Sequence, residues 1–379
     1  MSGVDPTAMT RRSLIEAAAA ITVAGPALSA ARAAPSRVGP ANPKATARTR
    51  DALRLLQDIA ESDRMMLGQF LGYPNVNHIP GNSFSIEPAA EVFRMTGRWP
   101  ALVGGDYSGR TSADISGKRR LNYGQVNTTL GAYEQAGGLI TISAVAQNPF
   151  PPHDLRSQGA DLAKLLVDGP ARDLWMAQND YIADGLAELG RANVTVLFRP
   201  LLEFTSNPPP RAPLRGHWWT KGSATSTRDF YATMRALWID MFDHFTTRRG
   251  LNNLLWVWNP KDNDLGAYPG PGYVDVLGPD WYDGDGVDRF EFNFEGDLAG
   301  MLATGKVFAV QETGNPHLNG LDARRMIDVA LARAPRLAYI YAWHDEYRLG
   351  RMANIRAAMQ DRRVVTRESL ALLVEGTAA

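Results

Sequence analysis

An α/β fold, a (β/α)8 or TIM barrel closed by eight parallel strands in a single domain, follows from three features of the sequence. Short β-branched or aromatic runs recur eight times along the chain, separated by stretches with helical periodicity. The runs are continuous rather than alternating, as strands covered on both faces must be. Two of them, 194–203 and 306–312, end in a glutamate, and chemistry in such barrels collects just beyond the carboxyl ends of the strands. A doubly wound open sheet with extra strands has a similar element order. No glycine-rich dinucleotide fingerprint follows the first strand, so that alternative has no ligand to offer.

Taken in order, residues 50–62 carry helical spacing (Leu53, Leu55, Leu56, Ile59), and 65–70 form the first strand. A helix over 87–96 starts with a proline in its first turn, and 101–107 is the second strand. The helix at 123–135 leads to a third strand at 138–146, and the long amphipathic helix at 171–191 to the fourth at 194–203. Helix 227–248 precedes the fifth strand, 253–259. The sixth strand, 274–282, follows a Pro/Gly-rich turn at 268–272. A short helix near 298–303, a seventh strand at 306–312, a helix at 323–332 and an eighth strand at 337–343 complete the pattern, with helices to the end.

Composition bounds the function classes. At 379 residues and 45% hydrophobic content the chain can bury a large core. Forty basic and forty acidic side chains cancel, which leaves no electrostatic footprint for nucleic acid or an anionic membrane. The absence of cysteine removes disulfides, thiolate metal sites and cysteine nucleophiles. Residues 1–33 resemble a twin-arginine signal peptide: Thr10-Arg11-Arg12-Ser13-Leu14-Ile15, a mildly apolar 17–30, and the small-residue site Ala31-Arg32-Ala33. They predict an exported protein, secreted, periplasmic or at the cell surface, with no membrane insertion once the signal is removed. Residues 34–49, rich in Pro, Ala and Arg, read as a flexible linker, and 50–379 as the barrel domain.

If the barrel closes, its strand ends place Gln69, Asp106, Tyr107, Gln147, Asn148, Arg199, Glu203, Trp258, Asn259, Asp280, Tyr282, Glu312, Trp343 and His344 around one mouth. Carboxylates, amides, an arginine and aromatic rings suit a sugar, which needs in-plane hydrogen bonds and flat apolar faces to stack on. Trp218, Trp219, Trp258 and Trp343 are the stacking candidates. The six histidines (His78, His153, His217, His244, His317, His344) are dispersed without ligand spacing, so no metal site and no cofactor is expected. The Asp283-Gly284-Asp285-Gly286-Val287-Asp288 run lacks the distal glutamate of a calcium loop and reads as a turn.

The order of several blocks resembles glycoside hydrolase family 26, the β-mannanase-type group. They are Leu67-Gly68-Gln69, the run from Thr96 to Tyr107, the run from Gly137 to Ser143 with Asn148-Pro149, Arg199-Pro200-Leu201-Leu202-Glu203, the run from Leu251 to Trp258, the run from Tyr273 to Tyr282, and Val310-Gln311-Glu312-Thr313-Gly314. The resemblance implies a β-linked poly- or oligosaccharide substrate, with Glu203 as acid/base, Glu312 as nucleophile and Tyr282 as a phenol bonded to the nucleophile. Asp106, Asn148, Arg199, Trp218, Trp219, Trp258, Tyr282 and Trp343 would line the substrate. Arg199 serves either the chemistry or a structural ion pair under the mouth. A retaining glycosidase needs one neutral and one ionised carboxyl group, and this pair supplies both. The same barrel used as a non-catalytic carbohydrate-binding protein is the alternative.

Two departures stand out. Relatives carry His immediately before the acid/base and a Trp-His pair after the third strand; here Leu202 and Ala144-Val145 stand there. Leu202 and Val145 are therefore expected to make an apolar wall beside the sugar. The stretch 204–216, with three consecutive prolines, also separates Glu203 from His217-Trp218-Trp219.

Export is directly testable. In a host with the twin-arginine machinery, the mature amino terminus is expected near Ala34, and Arg11→Lys with Arg12→Lys should trap the precursor inside the cell. Normal export of the double variant, read by mass spectrometry of the secreted fraction, would contradict this expectation.

Overall fold

The computed structural model describes residues 37–74, 84–107, 123–153, 160–206, 217–221, 226–282, 296–314 and 321–376. The expectations about residues 1–36, His78, His317, the 207–216 stretch and the 283–288 run lie outside the described residues.

Eight parallel strands close the barrel. They are β1 (Met65–Phe70), β2 (Leu102–Asp106), β3 (Leu139–Ala144), β4 (Val196–Pro200), β5 (Leu254–Trp258), β6 in two pieces (Val276–Leu277 and Asp280–Tyr282), β7 (Val307–Gly314) and β8 (Leu337–Ala342). Each is hydrogen-bonded to the next, and β8 returns to β1 with Met66 opposite Tyr339 and Gln69 opposite Ala342. A short β9 (Val364–Val365) adds to the start of β1. The helices are α1 (Ala47–Glu61), α2 (Glu87–Thr96), α3 (Tyr123–Gln135), α4 (Pro170–Arg191), α5 (Thr227–Asp243), α6 (Leu298–Ala303), α7 (Ala323–Arg333), α8 (Ile355–Met359) and α9 (Arg367–Gly376).

The continuous apolar strand runs have a direct explanation in packing. Side chains alternate between two faces along a strand, and here both faces are buried. Leu67, Val103, Ile140, Val196 and Leu254 face the helices in one cluster. Their neighbours Met66, Leu102, Leu197 and Leu255, with Tyr339 and Tyr341, join Leu53, Leu56 and Ile59 of α1 in another. The second cluster is the barrel interior, and α1 lies across its amino-terminal end. The functional residues are left to the opposite end. Among the described residues, no helix is long and apolar enough to cross a membrane.

Three boundaries differ from expectation. Residues 41–49, assigned to a linker by composition, are tied into the barrel: Asp275 accepts from Ala41 N (2.6 Å) and Trp256 N (2.8 Å), Asn42 donates to Leu251 O (3.1 Å), and Thr46 caps α1 by accepting from Thr49 N (3.1 Å). The contacts of Ala41 and Asn42 depend on partners 234 and 209 residues away, so composition does not register them. The fourth strand stops at Pro200 rather than at Glu203, because Leu201 (φ 49°) and Glu203 (φ 55°) both turn into the left-handed region. The sixth strand is broken at Gly278-Pro279, where a Cβ on Gly278 would lie 1.6 Å from Ala309 O.

That close approach fixes where Asp280 and Tyr282 enter the mouth. Gly278→Ala is expected to lose about 3 kcal/mol or more of stability in urea unfolding, since the clash is with backbone and no side chain can yield. A variant as stable as the parent would show that β6 and β7 separate freely.

Candidate active site

The turn after β4 presents Glu203 through strained backbone. Two non-glycine residues with positive φ within three positions cost on the order of 1–3 kcal/mol each. The turn is held by Glu203 N donating to Asn259 O (2.9 Å), Ser206 N donating to Glu203 O (2.9 Å), and Trp219 Nε1 donating to Leu202 O (2.9 Å). Leu202 thereby turns into the core, where it and Val145 are each 4% exposed. The apolar wall expected of them is thus part of the packed interior.

Glu312, on β7, is 4% exposed and meets a cation and a phenol. Arg199 donates to its Oε1 (2.8 Å) and Tyr282 OH to its Oε2 (2.8 Å). The same Arg199 nitrogen also donates to Asn259 Oδ1 (3.0 Å) and Gln311 O (3.1 Å). Burial opposes charge on Arg199, but the Glu312 and Asp280 carboxylates outweigh it and raise its pKa. Burial likewise raises the Tyr282 phenol well above its ordinary value, helped by the charge on Glu312, so it stays a donor. For Glu312 itself, burial is the largest influence and raises the carboxyl, with the nearby Glu203 adding to it and Arg199 opposing.

Asp280 forms the third corner. Its Oδ1 accepts from Asn259 Nδ2 (2.9 Å), and burial, with the charge of Glu312, raises its carboxyl well above the usual range. One oxygen each from Glu203, Asp280 and Glu312 lie within 4.8 Å of one another. Among the described residues, positive charge reaches this triad from Arg199 and from a residue absent from the strand-end set, Lys261. Its Nζ donates to Glu203 Oε1, sits 3.9 Å from Asp280 Oδ2 and lies 4.7 Å from the centroid of the Tyr282 ring. His217 Nε2 stands 3.9 Å from Glu203 Oε2, its ring stacked on Trp219 at 4.5 Å. Burial pushes Glu203 up, but Lys261 and then His217 outweigh it and bring the carboxyl down to about 2.

Of the residues expected in the site, Glu203, Glu312, Arg199 and Tyr282 converge, and Trp343 borders them. Its half-buried ring is stacked on Phe70 at 4.1 Å and lies 5.9 Å from the Arg199 guanidinium. The other three tryptophans do not offer an open face. Trp218, Trp219 and Trp258 are at most 1% exposed, packed against Trp175, His217 and Phe204 respectively. They act beneath the site: Trp218 Nε1 donates to Ala146 O (2.9 Å), as Trp219 does to Leu202 O, so the two rings pin the loops after β3 and β4. Asp106 is fully buried and accepts from the Ser143 hydroxyl. Asn148 is also buried, and its Oδ1 accepts from Phe150 N (3.0 Å), which shapes the loop after β3.

Lys261 and His217 were not legible as site residues because neither lies at a strand end. Lys261 follows β5 by three positions and is aimed by Thr205 Oγ1, which accepts from its backbone N–H (2.9 Å). Extending the strand-end rule past Asn259-Pro260 would have found it.

The family model for glycosyl hydrolase family 26 matches residues 41–369. A mannan endo-1,4-beta-mannosidase of Bacillus subtilis is 30% identical over 331 residues, covering 82% of this chain and 83% of the relative. A solved Bacillus subtilis mannanase superposes with a TM-score of 0.75 at 26% identity, covering 87% of this chain and 95% of that one, and the YdhT protein of Bacillus subtilis does so at 0.76 and 27%, with the same coverage. With the matched region spanning the whole barrel and every strand that feeds its mouth, the chain belongs to glycosyl hydrolase family 26 and is a glycoside hydrolase acting on O-glycosyl bonds.

Proposed function

We propose that this protein is an exported, retaining endo-β-mannanase: it cleaves β-1,4-linked mannan by double displacement, with Glu312 as nucleophile and Glu203 as acid/base. Residues 1–33 would be the export signal. The observation that carries the mechanism is the spacing and pairing of the two glutamates. Their nearest oxygens lie within 4.8 Å, close to the about 5–5.5 Å of retaining pairs and short of the about 6.5–9.5 Å that admits a water in inverting ones. Substrate identity is supported by the Bacillus subtilis relative, which is a mannan endo-1,4-beta-mannosidase.

In the first step a Glu312 oxygen forms a bond to the anomeric carbon as the glycosidic bond breaks. Its electron pair goes to the leaving oxygen, which takes a proton from Glu203. In the second step Glu203 removes a proton from water, whose oxygen displaces Glu312. Arg199 and Tyr282 favour Glu312 as a carboxylate and aim its oxygens, and Trp343, half-buried beside Arg199, is the ring on which a sugar would stack. A pocket of buried, hydrogen-bonded donors around the reacting centre is where electrostatic stabilisation is strongest.

Two sets of variants test this. Glu312→Ala should abolish release of reducing sugar from β-1,4-mannan, and Glu203→Ala should be slow on mannan but far less impaired on an aryl β-mannobioside whose leaving group needs no proton. Equal loss on both substrates would remove Glu203 from the acid role. Higher activity on xylan, β-1,3-glucan or mixed-linkage glucan than on mannan would refute the substrate.

Arg199→Met is expected to lose about 3–5 kcal/mol of stability near neutral pH, because Glu312 is left buried without its cation. The sign with pH follows from Glu312. Without Arg199 its folded pKa rises further above the unfolded value, so the penalty is absent at pH below the ordinary glutamate range and grows as pH rises through and above it. Urea titrations at acid and neutral pH should show the gap to the parent widening with pH; a gap that narrows would contradict the pairing.

A further inference from the structure

We propose that Lys261 is a positioning residue that clamps Glu203 in the ligand-free enzyme and passes to Asp280 when the leaving-group sugar enters, freeing Glu203 to carry the proton it must donate. The inference rests on Glu203 being the acid/base.

Both oxygens of Glu203 face a basic group. Lys261 Nζ donates to Oε1, and His217 Nε2 lies 3.9 Å from Oε2. The ammonium bond to Oε1, with the imidazole near Oε2, holds the group as a carboxylate, which has no proton to give a glycosidic oxygen. Among the described residues, the other charged and titratable groups facing the pair are Arg199 from β4, Asp280 and Tyr282 from β6 and Glu312 from β7, with Tyr341 of β8 and Asp106 of β2 behind them. Arg199 is already engaged by Glu312, which leaves Lys261 as the described cation that can change partner.

The geometry gives it somewhere to go. Asp280 Oδ2 is 3.9 Å from the same ammonium, which also sits over the Tyr282 ring. A shift of about an ångström would complete a Lys261–Asp280 hydrogen bond and break the one to Glu203. Lys261 keeps 31% of its side-chain surface exposed, so the movement needs no opening of the core, whereas Asp280 is fixed by Asn259 and exposes no side-chain surface. Glu203, relieved of the ammonium, takes a proton from solvent, and the 3.9 Å approach of Lys261 to Asp280 closes to a hydrogen-bonded ion pair. The low proton affinity of Glu203 while Lys261 is bonded to it, and the raised affinity of Asp280, are both in keeping with the clamped state.

The test compares pH profiles of Lys261→Met and Lys261→Arg with the parent on β-1,4-mannan. Removing the ammonium should move the alkaline limb of kcat/KM, which reports the free enzyme, up by about 1 pH unit or more. Lys261→Arg should keep the parent limb. A merely structural lysine would lower activity without moving the limb; that result, or an arginine variant that shifts as far as the methionine one, overturns the proposal. Lys261→Gln replaces the methionine variant if that fails to fold. Glu203→Ala assayed with azide separates the two levels of inference. Rescue, with formation of a β-glycosyl azide, sustains Glu203 as acid/base, so an unshifted limb then refutes the clamp alone, whereas no rescue refutes both.

Discussion

The buried pair Arg199–Glu312 is the constraint on which the mouth of the barrel depends. Charges with side chains 2% and 5% exposed survive only when each is paired and hydrogen-bonded, because desolvation otherwise exceeds their attraction. Arg199, on β4, therefore has to be served from two other strands at once: by Asn259 after β5 and by Gln311 O and Glu312 on β7. Gln311 is in turn fixed by the Tyr339 hydroxyl of β8 (2.8 Å). Satisfying one guanidinium thus sets the relative placement of β4, β5, β7 and β8.

Around that pair the charge is arranged rather than neutralised. Glu203, Asp280 and Glu312 cannot all be ionised at separations under 4.8 Å without counter-charge, and Arg199 and Lys261 supply it from opposite sides. Asn259 couples the halves, accepting from Arg199 and donating to Asp280, while its backbone oxygen holds Glu203 N. On the proposed clamp, the position of Lys261 decides whether Glu203 is held as a carboxylate. His217, fourteen residues beyond Glu203, also places an imidazole near that carboxyl group even though Leu202 occupies the position immediately before it.

Much of this was legible in the sequence. Two-sided burial writes itself as continuous apolar runs, so the eight strands and their order were readable. Glu203, Glu312, Arg199 and Tyr282 follow from the rule that barrel chemistry sits at strand ends. What the sequence did not disclose depends on turns and long-range contacts. The left-handed residues Leu201 and Glu203 end β4 early and swing Leu202 inward. Tryptophans look alike in sequence whether they stack on a sugar or brace a loop, and only packing separates Trp343 from Trp218, Trp219 and Trp258. Lys261 lies in a loop whose course is set by the Thr205 hydroxyl, a contact with no sequence signature.

The central claim is that a covalent glycosyl intermediate forms on Glu312, and trapping it is the most direct measurement. Incubation with an activated 2-deoxy-2-fluoro-β-mannosyl donor slows both steps but the second more, so the intact-protein mass should rise by one fluorosugar. Peptide mapping should place it on Glu312, with no adduct on the Glu312→Ala variant. An adduct on Glu203, or turnover of the donor with no covalent species and an inverted product, would contradict the assignment.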